Sequence, residues 1–135
     1  MNNHLALSKP DIKQQSFHGM FGTHWIHSHE EDKGDVKVFR PSTFNFPLSR
    51  LRDGFEILEN GTFIKYDIGK ADTLDTTVHS YSMGTNGLNT TLTVGLDNNN
   101  NMCMEINPNN NDKLNARQWF VPKSGECNVA RSNIG

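Results

Sequence analysis

Histidines and carboxylates are concentrated near the start of the chain, in the run His24-Trp25-Ile26-His27-Ser28-His29-Glu30-Glu31-Asp32. In an extended strand, His27 and His29 project to the same face and lie about 6–7 Å apart. Two imidazoles at this spacing form half of a zinc site, and His79 would supply a third ligand if its strand lay nearby. Since a spacing of two without cysteine is common by chance, a hydrated polar face remains the alternative to a metal site.

The sequence also offers groups for general acid–base catalysis, which requires a titratable side chain within hydrogen-bonding reach of a substrate. The main candidates are His27, His29 and Tyr66, and Asp53 and Glu56 are further groups of this kind. Such sites are assembled in space and leave no local signature, so the sequence does not decide whether the protein is an enzyme. It contains no Gly-x-Ser-x-Gly elbow, phosphate loop or dinucleotide fingerprint, and we therefore expect no cofactor.

Arginines flank a loop rich in phenylalanine and proline: Arg40, Arg50 and Arg52. Arg40 shares a strand face with two valines, so its guanidinium would lie inside a barrel if that face lined the interior. There it would have to be paired or bind an anion such as a carboxylate. The alternative is a structural clamp, in which Arg40 pairs with Asp53 or Glu56 or stacks on a phenylalanine.

A set of apolar side chains, together with one tyrosine, shares one face of the later strands: Ile64, Tyr66, Leu92, Val94, Met102 and Met104. Methionine side chains adapt to irregular ligands and a tyrosine hydroxyl can orient them, so this face suits a ligand cavity. It suits an ordinary packed core equally well.

Composition excludes several classes of function. A net charge of -2 and a pI near 6.3 argue against nucleic-acid binding, which depends on a basic surface. No apolar run approaches the ~20 residues of a membrane span, and no basic start precedes an apolar core, so we expect a cytoplasmic protein without membrane contact. A small molecule is the expected partner, and a homodimer is left open. Cys103 and Cys127 are too few for a disulfide scaffold, and their pairing stays open.

The elements that must position these residues are strands. The 135 residues fit a single domain, with a leader or plug at 1–20 containing a short helical turn and a flexible tail at 122–135. From Thr23 the apolar pattern alternates with a period of two. The predicted strands are Thr23–Glu30, Asp35–Arg40, Phe55–Glu59, Thr62–Ile68, Thr76–Met83, Leu88–Leu96, Met102–Ile106 and Lys113–Val121.

The links between these strands determine the predicted architecture. Asn60-Gly61 predicts a hairpin with a type I′ turn, and Pro41 and Pro47 predict an irregular crossing loop over Ser42–Asp53. The asparagine-rich stretches, including 107–112, are predicted to be turns. About eight short strands joined mostly by hairpins predict an all-β, antiparallel up-and-down barrel, because closure removes exposed strand edges.

The order of elements resembles the calycin superfamily, which contains the lipocalins and the fatty-acid-binding proteins. The resemblance is carried by Gly22-Thr23-His24-Trp25 at the entry to the first strand and by Arg117-Gln118-Trp119 near the end. In lipocalins a tryptophan at the start of strand one packs against a basic residue of the last strand, which implies contact between Trp25 and Arg117 here. Gly22 stands three residues before Trp25, where the lipocalin pattern has two.

The main hypothesis is a lipocalin-like barrel that binds a small, partly apolar molecule in its interior, with Arg40 fixing an acidic or polar end. The expected ligand-binding residues are Trp25, Arg40, Arg52, Tyr66, Met104 and Arg117. The alternative is a cofactor-free isomerase, cyclase or lyase that uses the cavity as its active site. A third hypothesis is a filled barrel that acts through its outer face. A titratable group with a perturbed pKa facing the cavity would favour the enzyme.

Overall fold

A computed structural model describes residues 19–86, 89–96, 99–110 and 112–127, with residues 86 and 108–110 described by their backbone alone. Within these ranges eight strands form a closed antiparallel barrel, which confirms the predicted all-β fold class. Two short 3-10 turns accompany them, at His29–Glu31 and Lys70–Asp72. The strands are β1 His24–His27, β2 Lys37–Pro41, β3 Gly54–Ile57, β4 Thr62–Ile68, β5 Leu74–Asn86, β6 Asn89–Gly95, β7 Asn100–Asn110 and β8 Lys113–Pro122.

The strand order around the barrel is β1-β2-β8-β7-β6-β5-β4-β3, and every pair of neighbours is antiparallel. It departs from a simple up-and-down order at one point, because β1 lies between β2 and β3. The crossing loop predicted over Ser42–Asp53 carries the chain past the end of β1. The contact between β1 and β3 is so close that a Cβ atom at Gly54 would collide with the carbonyl oxygen of Trp25.

The hairpin predicted at Asn60-Gly61 joins β3 to β4, but its turn type differs from the prediction. Only Gly61 has a positive φ, of 92°. The Gly61 amide donates to the Leu58 carbonyl, and the Leu58 amide donates to the Thr62 carbonyl. This is the geometry of a four-residue turn that ends in a left-handed glycine, whereas a type I′ turn requires two residues with positive φ.

Two strand ends differ from the sequence prediction for identifiable reasons. β1 ends at His27 rather than Glu30, because residues 29–31 form a 3-10 turn. β7 continues to Asn110, through the asparagine-rich stretch predicted as a turn. There it pairs with β8 alone, with a bulge between Pro108 and Asn110, and an edge position tolerates the missing amide of a proline.

The C-terminal turn is attached to the outside of the barrel by a disulfide bond. Cys103 of β7 bonds to Cys127, with an S–S distance of 1.98 Å, and both residues are buried. Val121 and Trp119 pack around this bond. Residues 122–127, part of the predicted flexible tail, therefore contain the end of β8 and a fixed turn, whereas residues 128–135 and most of the predicted leader lie outside the described residues.

The core fills the middle of the barrel. Trp25 of β1 is 1% exposed, and its indole donates to the carbonyl of Met20 at 3.1 Å, so Met20 covers one end. The other side chains of this core come from all of the remaining strands except β5: Phe39, Phe55, Ile57, Phe63, Leu92, Val94, Met102, Met104, Ile106, Leu114 and Ala116. No helix among the described residues has the length and apolar character to cross a membrane.

Candidate ligand site at the open end of the barrel

A cavity of about 60 Å³ lies at the end of the barrel opposite Met20. Asp53 and Asp67 on its wall are 41% and 47% exposed, and Phe120 is 60% exposed, so the cavity opens to solvent. The full lining is Phe39, Asp53, Gly54, Phe55, Phe63, Lys65, Asp67, Met102, Gln118 and Phe120.

The cavity has an aromatic floor and a charged rim. Phe55 stacks on Phe63 with ring centroids 5.4 Å apart and also contacts Phe39 at 4.7 Å. On the rim, the Lys65 ammonium donates to Asp67 Oδ1 at 2.5 Å. Most small-molecule sites combine such an apolar floor with a few polar groups that fix orientation.

His27 lies beside this cavity and is held between two carboxylates. Its Nδ1 is 3.2 Å from Asp53 Oδ1, and its Nε2 is 2.9 Å from Asp32 Oδ2. Its ring stacks on Phe39, with centroids 5.1 Å apart, and its side chain is 13% exposed. Asp32, His27 and Asp53 thus form a triad, and Asp53 is also part of the cavity wall.

The electrostatics of the triad favour a charged imidazole. The hydrogen bond to Asp53 raises the pKa of His27 above its ordinary value, burial opposes this, and Asp32 raises it further. Burial would raise the pKa of Asp53, but the hydrogen bond and charge of His27 together lower it. Because both ring nitrogens can donate only in the imidazolium form, His27 acts here as a cation that joins two carboxylates.

Arg40 lies on the outer face of the barrel. Its strand face does not line the interior, so Arg40 cannot bind a ligand in the cavity. In the β1–β2 register its partner is Ile26, whereas the inward-facing His27 is opposite Phe39. The Arg40 guanidinium donates to both carboxylate oxygens of Glu31, at 2.9 and 2.8 Å, and lies 4.5 Å from the ring centre of Phe44. The clamp alternative describes this arrangement, including the stacking on a phenylalanine, but the acidic partner is Glu31 rather than Asp53 or Glu56.

Arg52 is also used within the fold. It donates to both oxygens of Glu30, at 2.9 and 2.7 Å, and to the carbonyl oxygens of His27 and Pro47. Its guanidinium lies 4.7 Å from the ring centre of Phe46. The hydrogen bonds from Arg52 and Arg40 lower the pKa of Glu30 and of Glu31, respectively, to about 2.

Tyr66 also faces outward. Its hydroxyl donates to Glu56 Oε1 at 2.7 Å, which raises its pKa to about 12, and its ring contacts His24 at 4.5 Å. A hydroxyl with this pKa and an outward orientation is a poor acid–base group for the cavity.

The contact expected between Trp25 and Arg117 is not formed. Trp25 faces the core, whereas Arg117 is 44% exposed on the outer face and donates to Asp35 at 3.3 Å. Met104 is fully buried in the core and does not line the cavity. The expected ligand residues thus do not converge: Trp25 and Met104 lie in the core, Arg40, Tyr66 and Arg117 lie on the outer face, and Arg52 lies in the crossing loop.

The predicted metal ligands are not assembled into one site. His27 and His29 have ring centroids 5.9 Å apart, but Asp32 and Asp53 occupy both nitrogens of His27. His79 lies on β5, with β3 and β4 between it and β1, and its Nδ1 bonds to the Gly95 carbonyl at 3.1 Å. Among the described residues, no group of three or more His, Cys, Asp or Glu could hold a metal ion.

Met102 lies on the face predicted to suit a cavity and does line it, but Lys65 and Asp67 were not predicted, mainly because the wrong face of β4 was expected to point inward. Ile64 and Tyr66 were expected inside, whereas the register places Phe63 and Lys65 opposite Ile57 and Phe55 of the core. A shift of one residue exchanges the two faces of a strand. Phe63 could have indicated the correct face, because it lies on the same face of β4 as Lys65 and Asp67 and is a large apolar residue.

Comparison with known proteins gives no match: no protein-family model, no curated protein and no solved structure matches this chain. The barrel is consistent with a calycin-like fold at the level of strand number and antiparallel closure.

Proposed function

We propose that this barrel binds a small, partly apolar molecule at its open end, in a role similar to that of the lipocalins. The observation that carries the proposal is the solvent-open cavity with its aromatic floor and charged rim. Perturbed titratable groups and a few polar side chains around an apolar pocket are typical of binding sites.

The size of the cavity limits the ligand. Small-molecule pockets commonly have volumes of about 300–1,000 Å³, whereas this cavity has about 60 Å³ because the core fills the barrel beneath it. Only one end of a ligand enters, and each buried methylene contributes about 0.8 kcal/mol. The remainder of the ligand packs against the exposed ring of Phe120.

The charges on the rim favour a neutral polar group over a carboxylate. Asp67 is paired with the ammonium of Lys65, and Asp53 shares the imidazolium of His27 with Asp32. Three carboxylates therefore face two cations, and the net charge at this end of the barrel is negative. A ligand carboxylate would face this negative charge without the help of Arg40. Gln118, which can both donate and accept hydrogen bonds, is the group that orients a hydroxyl or an amide.

One observation favours the alternative of an enzyme. Asp53 is a titratable group that lines the cavity and hydrogen-bonds to His27, which is an arrangement expected of an acid–base pair. Its lowered pKa nevertheless makes it a weaker base. His27 has both ring nitrogens engaged, however, and His29 and Tyr66 do not line the cavity. We therefore assign Asp53 to the rim of a binding site, with proton transfer as the second candidate.

The disulfide bond bears on the cellular location. Cytosolic proteins keep their thiols reduced, so the buried Cys103–Cys127 bond favours an oxidising environment over the cytoplasm expected from the sequence.

Methionine methyl groups provide a direct test of ligand binding. In a protein labelled with ¹³C at the methionine methyls, benzyl alcohol should shift the signal of Met102, which lines the cavity, more than that of Met104, which does not. Benzoate should bind at least about threefold more weakly, because of the charge on the rim. Phe120→Ala should weaken benzyl alcohol binding, whereas Leu48→Ala, at a fully exposed loop position, should not.

Two outcomes would contradict the proposal: no shift at Met102 with either probe, or shifts that are unchanged in Phe120→Ala. Tighter binding of benzoate would retain the site but overturn the preference for a neutral group. Native mass spectrometry of the protein from its source, followed by denaturation, would identify a natural ligand.

A further inference from the structure

β5 is longer than either of its neighbours and pairs with each along only part of its length. Residues 74–80 pair with β4, and residues 81–86 pair with β6. The first half of the strand therefore has one paired edge, next to β4, and a second edge on the side where β6 has already ended at Gly95.

The backbone groups on this second edge can be identified from the hydrogen-bond alternation. The Gly69 amide donates to the Thr73 carbonyl, and the Tyr81 amide donates to the Gly61 carbonyl. Odd-numbered residues of β5 therefore bond to β4, and Leu74, Thr76 and Val78 direct their amide and carbonyl groups away from it. No described residue accepts or donates a backbone hydrogen bond at these three positions.

The side chains next to this edge are apolar and face outward. Leu74 is 42% exposed, Val78 is 65% exposed, and Ile68, opposite Leu74 on β4, is 46% exposed. The inner face at the same positions carries Asp67 and Asp75, so the usual pattern of apolar-in and polar-out is reversed. Proteins normally protect a free edge with lysine, proline, a covering segment or inward-pointing charges. Residues 74–78 contain neither lysine nor proline, and the inward-pointing Asp75 is their one charged residue.

We propose that this edge is an interface with a second copy of the chain, in which β5 pairs antiparallel with β5 about a twofold axis at Thr76. In this register Leu74 lies opposite Val78 of the second copy, and Thr76 lies opposite its own counterpart. All three outward-directed residues of each edge then gain backbone partners, and the exposed leucine and valine form apolar cross-strand pairs.

The charges on the strand select this register over its neighbours. A shift that pairs Leu74 with Thr76 of the second copy would place Asp75 directly opposite its own counterpart, and like charges in that position are destabilising. A shift in the other direction would require Ser80, which already lies beside β6. The register about Thr76 places Asp75 opposite Thr77 instead.

Sedimentation velocity over about 10 μM to about 1 mM tests the interface, a range that covers the dissociation constants of weak dimers. We expect a monomer–dimer equilibrium in the wild-type protein. Thr76→Pro removes an amide that points away from β4, so the barrel should fold while the dimer dissociation constant rises at least about tenfold. Val78→Lys should weaken the dimer similarly, whereas Leu48→Lys, which adds the same charge at an exposed apolar loop position, should not.

Circular dichroism and tryptophan fluorescence establish that each variant is folded; Val78→Lys provides the test if Thr76→Pro is not. A monomer at every concentration overturns the proposal. A dimer unaffected by either β5 variant also overturns it, because the copies must then meet elsewhere. A monomer that captures an extended peptide at β5 would assign the edge to a different partner.

Discussion

Two strands of the barrel, β2 and β5, each present an outward-facing valine, and the surroundings of the two valines differ sharply. Val38 of β2 is 4% exposed, and Val78 of β5 is 65% exposed. Val38 is covered because the 3-10 turn at His29–Glu31 lies over β2 and Asp32 accepts the Val38 amide at 2.9 Å. No described element covers Val78.

The charged residues explain this difference. Around β2, arginines and glutamates are paired within the fold, with phenylalanine rings packed under the guanidinium groups of Arg40 and Arg52. Around β5, backbone and apolar groups lack partners within the described chain. The arginines that the sequence suggests as ligand-binding residues thus stabilise the fold. The surface whose backbone groups have no partner among the described residues lies on β5, which the sequence did not indicate.

The largest effect is expected from breaking the ion pair that covers β2. Arg40→Ala should lower the free energy of unfolding by about 2 kcal/mol, because it leaves the partly buried Glu31 carboxylate without its cation and with the Ser28 hydroxyl as its remaining donor among the described residues. Arg50→Ala removes an arginine of the crossing loop, 81% exposed and paired with the exposed Asp72, and should cost at most about 0.5 kcal/mol. Urea unfolding measures both, and equal losses would contradict a structural role specific to Arg40.

The sequence was sufficient to predict the fold class because period-two patterning and turn residues are local signals. The barrel, its antiparallel strands and the hairpin at Asn60-Gly61 are all confirmed. The position of β1 between β2 and β3 was not predictable, because it depends on which edge the crossing loop reaches. The pairing of Cys103 with Cys127 likewise depends on where the chain turns after β8.

The candidate site was harder to predict than the fold because the inward-facing side chains are apolar in the core but polar at the open end of the barrel. In β4, Phe63 is buried, whereas Lys65 and Asp67 on the same face reach water at the open end. The alternating pattern therefore suggests the opposite inner face, with Ile64, Tyr66 and Ile68. Only the register with β3 identifies the correct one.

The two valines provide a direct comparison of the two surfaces. Val38→Ala should cost about 1–2 kcal/mol, because it removes two buried methyl-sized groups beneath the 3-10 turn. Val78→Ala should change the stability of the monomer by at most about 0.5 kcal/mol, because its side chain is largely in solvent. Chemical unfolding at low protein concentration separates this from any effect on dimerisation. A loss at Val78 as large as that at Val38 would show that a part of the chain covers β5.

The smallest effect is expected from the triad of Asp32, His27 and Asp53, which joins the crossing loop to β1 beside the cavity. Because the folded state raises the pKa of His27 above 6.5, its stabilisation is complete below that pH and is lost as the pH rises through the folded value. Asp53 acts in the opposite direction: its lowered pKa stabilises the fold above 3.8 and this contribution is lost as the pH falls. Stability should therefore be greatest between these limits.

His27→Gln should cost about 1 kcal/mol near pH 6 and should flatten the decline in stability above pH 6.5. His29→Gln, at a half-exposed position, should leave that decline unchanged. Unfolding curves across this range would refute the charged triad if the wild-type protein gained stability above pH 6.5, since a neutral His27 between two carboxylates would then be the favoured form.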